Sequence, residues 1–204
     1  MFLSRSGVRV RLIECVLLAL CSSPAGRMAG LWRAYQRLLG AHPWKVQIVT
    51  AGSLVGVGDV ISQQLLERKG LKGHSIERTV KMMGIGFCFV GPVVGGWYKI
   101  LDRIIPGSGK PVALKKMLLD QVAFAPCFLG CFLSIASALN GLSGEQIWGK
   151  LKRDYKDALI TNYYIWPAVQ VANFYFIPLY HRLAVVQFVA IIWNSYLSWK
   201  ANKS

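Results

Sequence analysis

Four times between Trp44 and Leu179 this chain runs through an apolar stretch of about twenty residues bounded by short basic segments. The stretches are Trp44–Leu66, Val80–Leu101, Met117–Leu139 and Ala158–Leu179. At about 1.5 Å per helical residue, each reaches across about 30 Å of hydrocarbon. Inside a bilayer an unpaired backbone group costs several kcal/mol, so only helices or closed barrels cross it. A barrel strand alternates apolar and polar residues, and these stretches do not. The expectation is an all-α, multi-span transmembrane helical bundle with four main spans. A fifth apolar stretch, Leu183–Trp199, is short; it spans, lies in the interface or packs on the bundle as a C-terminal helix. Polar loops are expected at 67–79, 102–116 and 140–157.

Charge supports this reading. Nine Asp and Glu stand against 24 Lys and Arg, and no acid falls between Glu14 and Asp59. A soluble nucleic-acid binder gathers its basic residues on one surface of an ordinary amphipathic fold. Here they fall between apolar runs, as in loops flanking membrane spans. The expected partners are the lipid bilayer and small solutes or ions, with a homo-oligomer left open and no direct nucleic-acid binding. A four-span count groups the N-terminal segment, the second loop and the tail as the more basic side, the matrix side of an inner membrane.

Residues 1–27 stand apart as an extension or targeting-like segment, and 28–204 read as a single membrane-embedded helical domain. Arg5, Arg9 and Arg11 precede a short apolar run, Leu12–Cys21. A secretory signal, a mitochondrial transit segment and an extension upstream of a start at Met28 all fit. Leu31, Ala34, Tyr35, Leu38 and Leu39 then share one face of a short amphipathic helix. That helix is expected in the interface, with Trp44 at headgroup depth.

Within the spans, small and polar residues recur at helical spacing. Gly52, Gly56, Asp59 and Gln63 share one face of the first span. Gly52 and Gly56 form a GxxxG pair, and Gly91 and Gly95 repeat the device in the second. Asp120, Cys127, Cys131, Ser134 and Ala138 mark the third span; Asn162, Gln170 and Asn173 mark the fourth. Such stripes turn spans toward one another, either as packing contacts or as the lining of a narrow aqueous path. Asp59 is the costly member, at about 2.5–3.5 kcal/mol for a carboxylate at depth. Lys81 and Lys99 are the candidate counter-charges, and a protonated carboxyl bonded to Gln63 or the fourth span is the neutral alternative.

Pro92, Pro126 and Pro167 lie inside spans and are hinge candidates, because each removes a backbone hydrogen bond. Cys88, Cys127 and Cys131 are redox candidates only where water reaches them. Cys127 and Cys131 point the same way and suit a mutual disulfide poorly, whereas a bridge from either to Cys88 is geometrically freer. The three histidines are isolated and no cysteine pair has metal spacing. No catalytic site, cofactor or metal is expected.

From Met28 onward the chain resembles the Mpv-seventeen family of small mitochondrial and peroxisomal membrane proteins. The carriers are Gly58-Asp59-x-x-x-Gln63, Gly91-Pro92 with Trp97-Tyr98, Asp120-Gln121, and Trp166-Pro167-x-x-Gln170-x-x-Asn173-Phe174. Pro178, Arg182 and Trp193-Asn194-x-Tyr196-Leu197-Ser198 complete them. Gly95 departs from the pattern, standing where many relatives carry a histidine. The resemblance implies a multi-pass protein of the inner mitochondrial membrane, with the peroxisomal membrane as the alternative. It also implies a weakly selective channel that modulates membrane potential. Links to deoxynucleotide pools, mitochondrial DNA maintenance and control of reactive oxygen species come with it. A non-conducting scaffold and a substrate-specific carrier are the competing readings.

Overall fold

The computed structural model describes residues 24–107, 109–177 and 179–203; for 24–27, 110, 173–175 and 179–183 it describes the backbone alone. All regular structure among these residues is helical. The chain divides between Gln47 and Ile48 into two compact units. In the first, α1 spans Pro24–Ala41, with Trp32 stacked on Tyr35 at 5.6 Å. It begins several residues before the expected amphipathic stretch.

Helix α2, Pro43–Leu66, leads into the second unit, followed by α3, Ile76–Ile104. After these come α4 from Lys110 to Leu139, α5, Gly144–Phe176, and α6, Leu179–Asn202. Helices α2, α3 and α4 are each long and apolar enough to cross a membrane. The fourth expected span, up to Phe176, lies in the second half of α5, which is not among those three. The loop expected at 140–157 is a correction, because α5 already begins at Gly144. Ser143 and Gln146 form a capping box: Ser143 Oγ accepts from Gln146 N, and Ser143 N donates to Gln146 Oε1 at 2.8 Å. This reciprocal cap satisfies two otherwise orphaned donors and starts the helix. With 33 residues, α5 is about 50 Å long, well beyond the hydrocarbon thickness. The loop expected at 102–116 is likewise shorter, since α4 starts at Lys110 with Pro111 in its first turn, where a missing N–H costs nothing.

Helix α6 runs back alongside α2. A Cβ added to Gly58 would lie 2.6 Å from Asn194 Cβ and 2.8–2.9 Å from the Asn194–Ser195 backbone, so only glycine allows this approach. Asn202 Oδ1 accepts from Asn140 Nδ2 at 2.8 Å, and Lys150 Nζ reaches the Lys203 carbonyl at 2.6 Å. The tail therefore lies at the Leu66 end of α2, not on the N-terminal side as a four-span count implies. Its 24 residues, about 36 Å, are long enough for that return.

Each of α2, α3 and α4 contains one π-helical turn: Ser62–Leu66, Gly86–Val90 and Asp120–Phe124. Two of them directly precede Gly91-Pro92 and Ala125-Pro126. A proline ring collides with the carbonyl four residues back and offers no donor. The wider turn shifts the ladder to five-residue bonds, Gly91 N–H to Gly86 O and Ala125 N–H to Asp120 O. Residues five apart then share a face, so Gly86 and Gly91 both meet α2. An added Cβ at Gly86 would lie 2.6 Å from Gly52 Cα, and one at Gly91 2.8 Å from Ile48 Cα. Gly52 itself sits under the Phe87 ring and Gly56 against Met83. The glycine contact between the first two spans is real, but its α3 half is Gly86 and Gly91. Gly95 is half-buried. Pro167 lies inside α5 with no π turn before it.

The interior is filled mainly by aliphatic and aromatic side chains, among them Val55, Met82, Leu129, Phe132, Trp193 and Leu197. Between α3 and α4 the rings of Trp97, Phe124, Phe128 and Phe89 stack in succession at 5.0–5.4 Å.

Candidate functional site

Two polar clusters built on the buried side chains of the spans cross-link helices α2 to α6. The larger is built where α2 ends, α3 begins and α6 passes. Asp59 is fully buried. One turn later Gln63 donates to Asp59 Oδ2 at 2.8 Å, the contact that i, i+4 spacing provides on a helix. Thr79 Oγ1 donates to the same oxygen at 2.6 Å. On Oδ1 sit the Ser198 hydroxyl from α6 and Arg78 Nε, 2.8 Å away. The counter-charge of Asp59 is thus Arg78; Lys81, one of the expected candidates, pairs with Glu77 instead.

Arg78 has further partners. Its Nη1 holds both Glu67 oxygens at 2.7 and 2.8 Å, and its Nη2 donates to Ser62 and Ser198, each at 3.2 Å. A planar five-donor fork suits this branching, which an ammonium group would not match. Ser62 in turn donates to Glu67 at 3.2 Å, five residues on, the spacing that the π turn aligns. The turn that follows fixes Glu67. Lys69 N donates to Gln63 O at 3.0 Å across Arg68, which has φ 53°, a Schellman-type ending. Gln63 also closes the loop, accepting from Ser75 N at 2.7 Å and donating to Ser75 O at 3.0 Å. His74 touches Thr79 and Gln64, each at 3.2 Å. Glu67 lies at the outer edge, bonded to Lys69 at 2.9 Å. Burial alone would raise its pKa, but the hydrogen bonds and charges of Lys69 and Arg78 outweigh that and lower it. The cluster therefore runs from Lys69 at the surface to a carboxylate sealed among three helices.

The smaller cluster joins α3, α4 and α5. Trp97 Nε1 donates to Asp120 Oδ1 at 2.7 Å, Gln121 Nε2 to Asp120 Oδ2 at 3.1 Å, and Asn162 Nδ2 to Gln121 Oε1 at 2.6 Å. Gln121 and Asn162 are buried. Gln170 is half-buried, and the side chain of Asn173 lies outside the described residues, as do Pro178 and residues 1–23.

The third-span stripe needs correcting. Cys127 and Cys131 are exposed, as is Cys88, and the inward face of α4 carries Leu129, Phe132, Leu133, Ala136 and Ser137. Lipid is as apolar as a protein core, so nothing drives a weakly polar thiol inward. Ser134 meets its own need by donating to the Gly130 carbonyl at 2.8 Å. All three thiols are free.

Sequence reasoning missed Arg78, Glu67, Thr79 and Ser75. A signal for Arg78 existed. Asp59 lies seven residues before the end of α2, and in an antiparallel hairpin that depth faces the opening turns of α3. The motifs that carry the family resemblance are the ones brought together here. Asp59 and Gln63 meet Ser198, Gly58 meets Asn194, Trp97 meets Asp120, and Trp166 packs edge-on against Trp193 at 6.5 Å.

Residues 137–198 match the Mpv17 / PMP22 family model. Mitochondrial inner membrane protein Mpv17 of Danio rerio is 73% identical over 176 residues, covering 86% of this chain and 99% of that protein. The chain belongs to the Mpv17 / PMP22 family. Its human relative of the same name is 71% identical over 173 residues, 85% of this chain and 98% of that protein. Protein sym-1 of Neurospora crassa is 41% identical over 167 residues, 81% and 95% respectively. No solved structure matches the chain. As an Mpv17 / PMP22 family member with several candidate spans, the chain is a protein of the mitochondrial inner membrane. The names of the family and these relatives describe no enzyme.

Proposed function

We propose that this protein is a weakly selective channel of the mitochondrial inner membrane that modulates membrane potential. Through solute supply it sustains deoxynucleotide pools, and with them mitochondrial DNA, and it restrains reactive oxygen species. The observation that carries this reading is the fully buried Asp59 and its pairing with the largely buried Arg78, which continues through Glu67 to Lys69 at the surface. An ionisable group within a membrane helix is costly and normally serves an ion or proton path. In this reading the network is the closed gate, and the Asp59 carboxylate favours cations once it parts. The polar lining comes from Gln63, Asp120, Gln121 and Asn162, and the lipid bilayer, small solutes or ions and other copies of the chain are its partners.

One observation favours a non-conducting scaffold: both oxygens of Asp59 are occupied by protein donors, which suits a permanently locked bundle. The purified protein in a planar bilayer separates the two. Discrete current steps support the channel, and a silent bilayer with verified insertion favours the scaffold. Asp59→Asn keeps the shape and removes the charge. The variant is expected to insert normally and to differ in conductance, ion preference or pH response. If all three match the parent, Asp59 is structural and the gate is wrong.

A further inference from the structure

The first four turns of α5 extend beyond what a bilayer needs, and their charges are unevenly spent. On the side facing α6, Asp157 pairs with Lys200, which also lies 3.5 Å from Asp154, and Lys150 is tied to the Lys203 carbonyl. Burial alone would lower the Lys200 pKa, but its hydrogen bond to Asp157 and the nearby Tyr196, Asp157 and Asp154 raise it. The acids on this face are therefore neutralised within the protein. On the outward face Lys152, Arg153 and Lys156 are exposed. Among the described residues neither Lys152 nor Lys156 has an acidic partner, and Arg153 touches Asp154 only at 3.3 Å. Lys152 Nζ stands 5.3 Å over the ring of Trp148, itself 61% exposed. Glu145 lies on that face in the first turn, and Asp157, exposed one turn beyond Arg153, is held by Lys200.

One turn further along, the same face turns apolar, with Ile160, Tyr163 and Tyr164 all exposed. Cationic side chains just outside an apolar boundary, beside an exposed tryptophan, sit at headgroup depth. We infer that Trp148, Lys152, Arg153 and Lys156 form a binding site for the headgroup phosphate of an anionic phospholipid. The ligand is fixed by charge complementarity, because Lys152 and Lys156, which lack acidic partners among the described residues, and the exposed Arg153 beside them meet the phosphate that a bilayer presents at that depth. It is fixed also by the boundary, because acyl chains then lie along Ile160, Tyr163 and Tyr164. A basic residue near a membrane surface contributes about fivefold in affinity, so removing three weakens the site about a hundredfold. This inference does not depend on the channel reading, and its test involves no current.

The full-length protein, extracted and exchanged into detergent containing equal phosphatidylglycerol and phosphatidylcholine, would be examined by native mass spectrometry. The parent is expected to retain phosphatidylglycerol in preference to phosphatidylcholine. The variant with Lys152→Gln, Arg153→Gln and Lys156→Gln is expected to lose one such lipid. Lys152→Arg with Lys156→Arg keeps the charges and should keep the lipid, and Lys115→Gln with Lys116→Gln, elsewhere in the chain, should keep it too. Excess inorganic phosphate should not displace it; displacement would mean a free-anion site. Equal retention by the triple variant and the parent, or no preference for phosphatidylglycerol, would overturn the proposal.

Discussion

At the residue scale, Asp59 and Arg78 are stable only together. Breaking a buried pair leaves an uncompensated charge and costs about 3–5 kcal/mol. Arg78→Gln should therefore lower the thermal transition in detergent sharply, whereas adding Asp59→Asn should cost less than the sum of the two single changes. Strictly additive losses would show that the pair is not coupled. Glu67 provides a pH signature. Its folded pKa lies below its ordinary value of 4.5. Its contribution is thus complete above that value and disappears as pH falls through the lowered one. The parent should lose stability over that acid range, and Glu67→Gln should lack that part of the loss; identical pH profiles would remove Glu67 from the network. Asp59 was legible in the sequence as a costly residue needing a partner. Its partner was not, because spacing along one helix says nothing about which residue of the next helix stands at the same depth.

At the element scale, helix existence was legible and helix boundaries were not. Apolar runs mark what lies in lipid, but a helix continues past the lipid wherever its ends are satisfied. The Ser143–Gln146 box does this for α5 and Pro111 for α4. The glycine pairing was half legible. Gly52 and Gly56 fit a 3.6-residue period, whereas Gly86 and Gly91 share a face only because a π turn intervenes. The α2–α6 contact is testable at Gly58. A methyl there meets the Asn194–Ser195 backbone, and overpacking of this kind costs about 1–3 kcal/mol. Gly58→Ala should lower the thermal transition accordingly. Gly84→Ala, which meets open space, should leave it unchanged or raise it slightly. Equal effects from both would mean that α6 does not approach α2 as closely as described.

At the scale of the whole molecule, helix direction places the 67–75 loop, the 140–143 turn and the C-terminal tail at one membrane face, and the 105–109 turn at the other. Leu71 is 90% exposed, which makes it a convenient probe. Leu71→Cys and Lys203→Cys, on a background lacking native cysteines, should react with a membrane-impermeant maleimide from the same side of sealed mitoplasts. Gly107→Cys should react from the other. Labelling of residues 71 and 203 from opposite sides would refute this course of α6. Hydropathy cannot reveal that course, because an apolar helix reads the same whether it crosses the bilayer or lies along it. The three π turns bear also on the arithmetic of insertions and deletions. Each of the two inside α3 and α4 is in effect one surplus residue absorbed as a bulge, so the helix on either side keeps its own phase. Deleting Val122, exposed on such a turn, would leave the outer face of α4 aimed as before, while bringing Pro126 against the carbonyl four residues back. The same deletion at Ile135, in regular helix, would swing everything beyond it through about 100°. Length variation is thus better tolerated at the π turns inside α3 and α4 than in regular helix, because the helix beyond the gap keeps its direction.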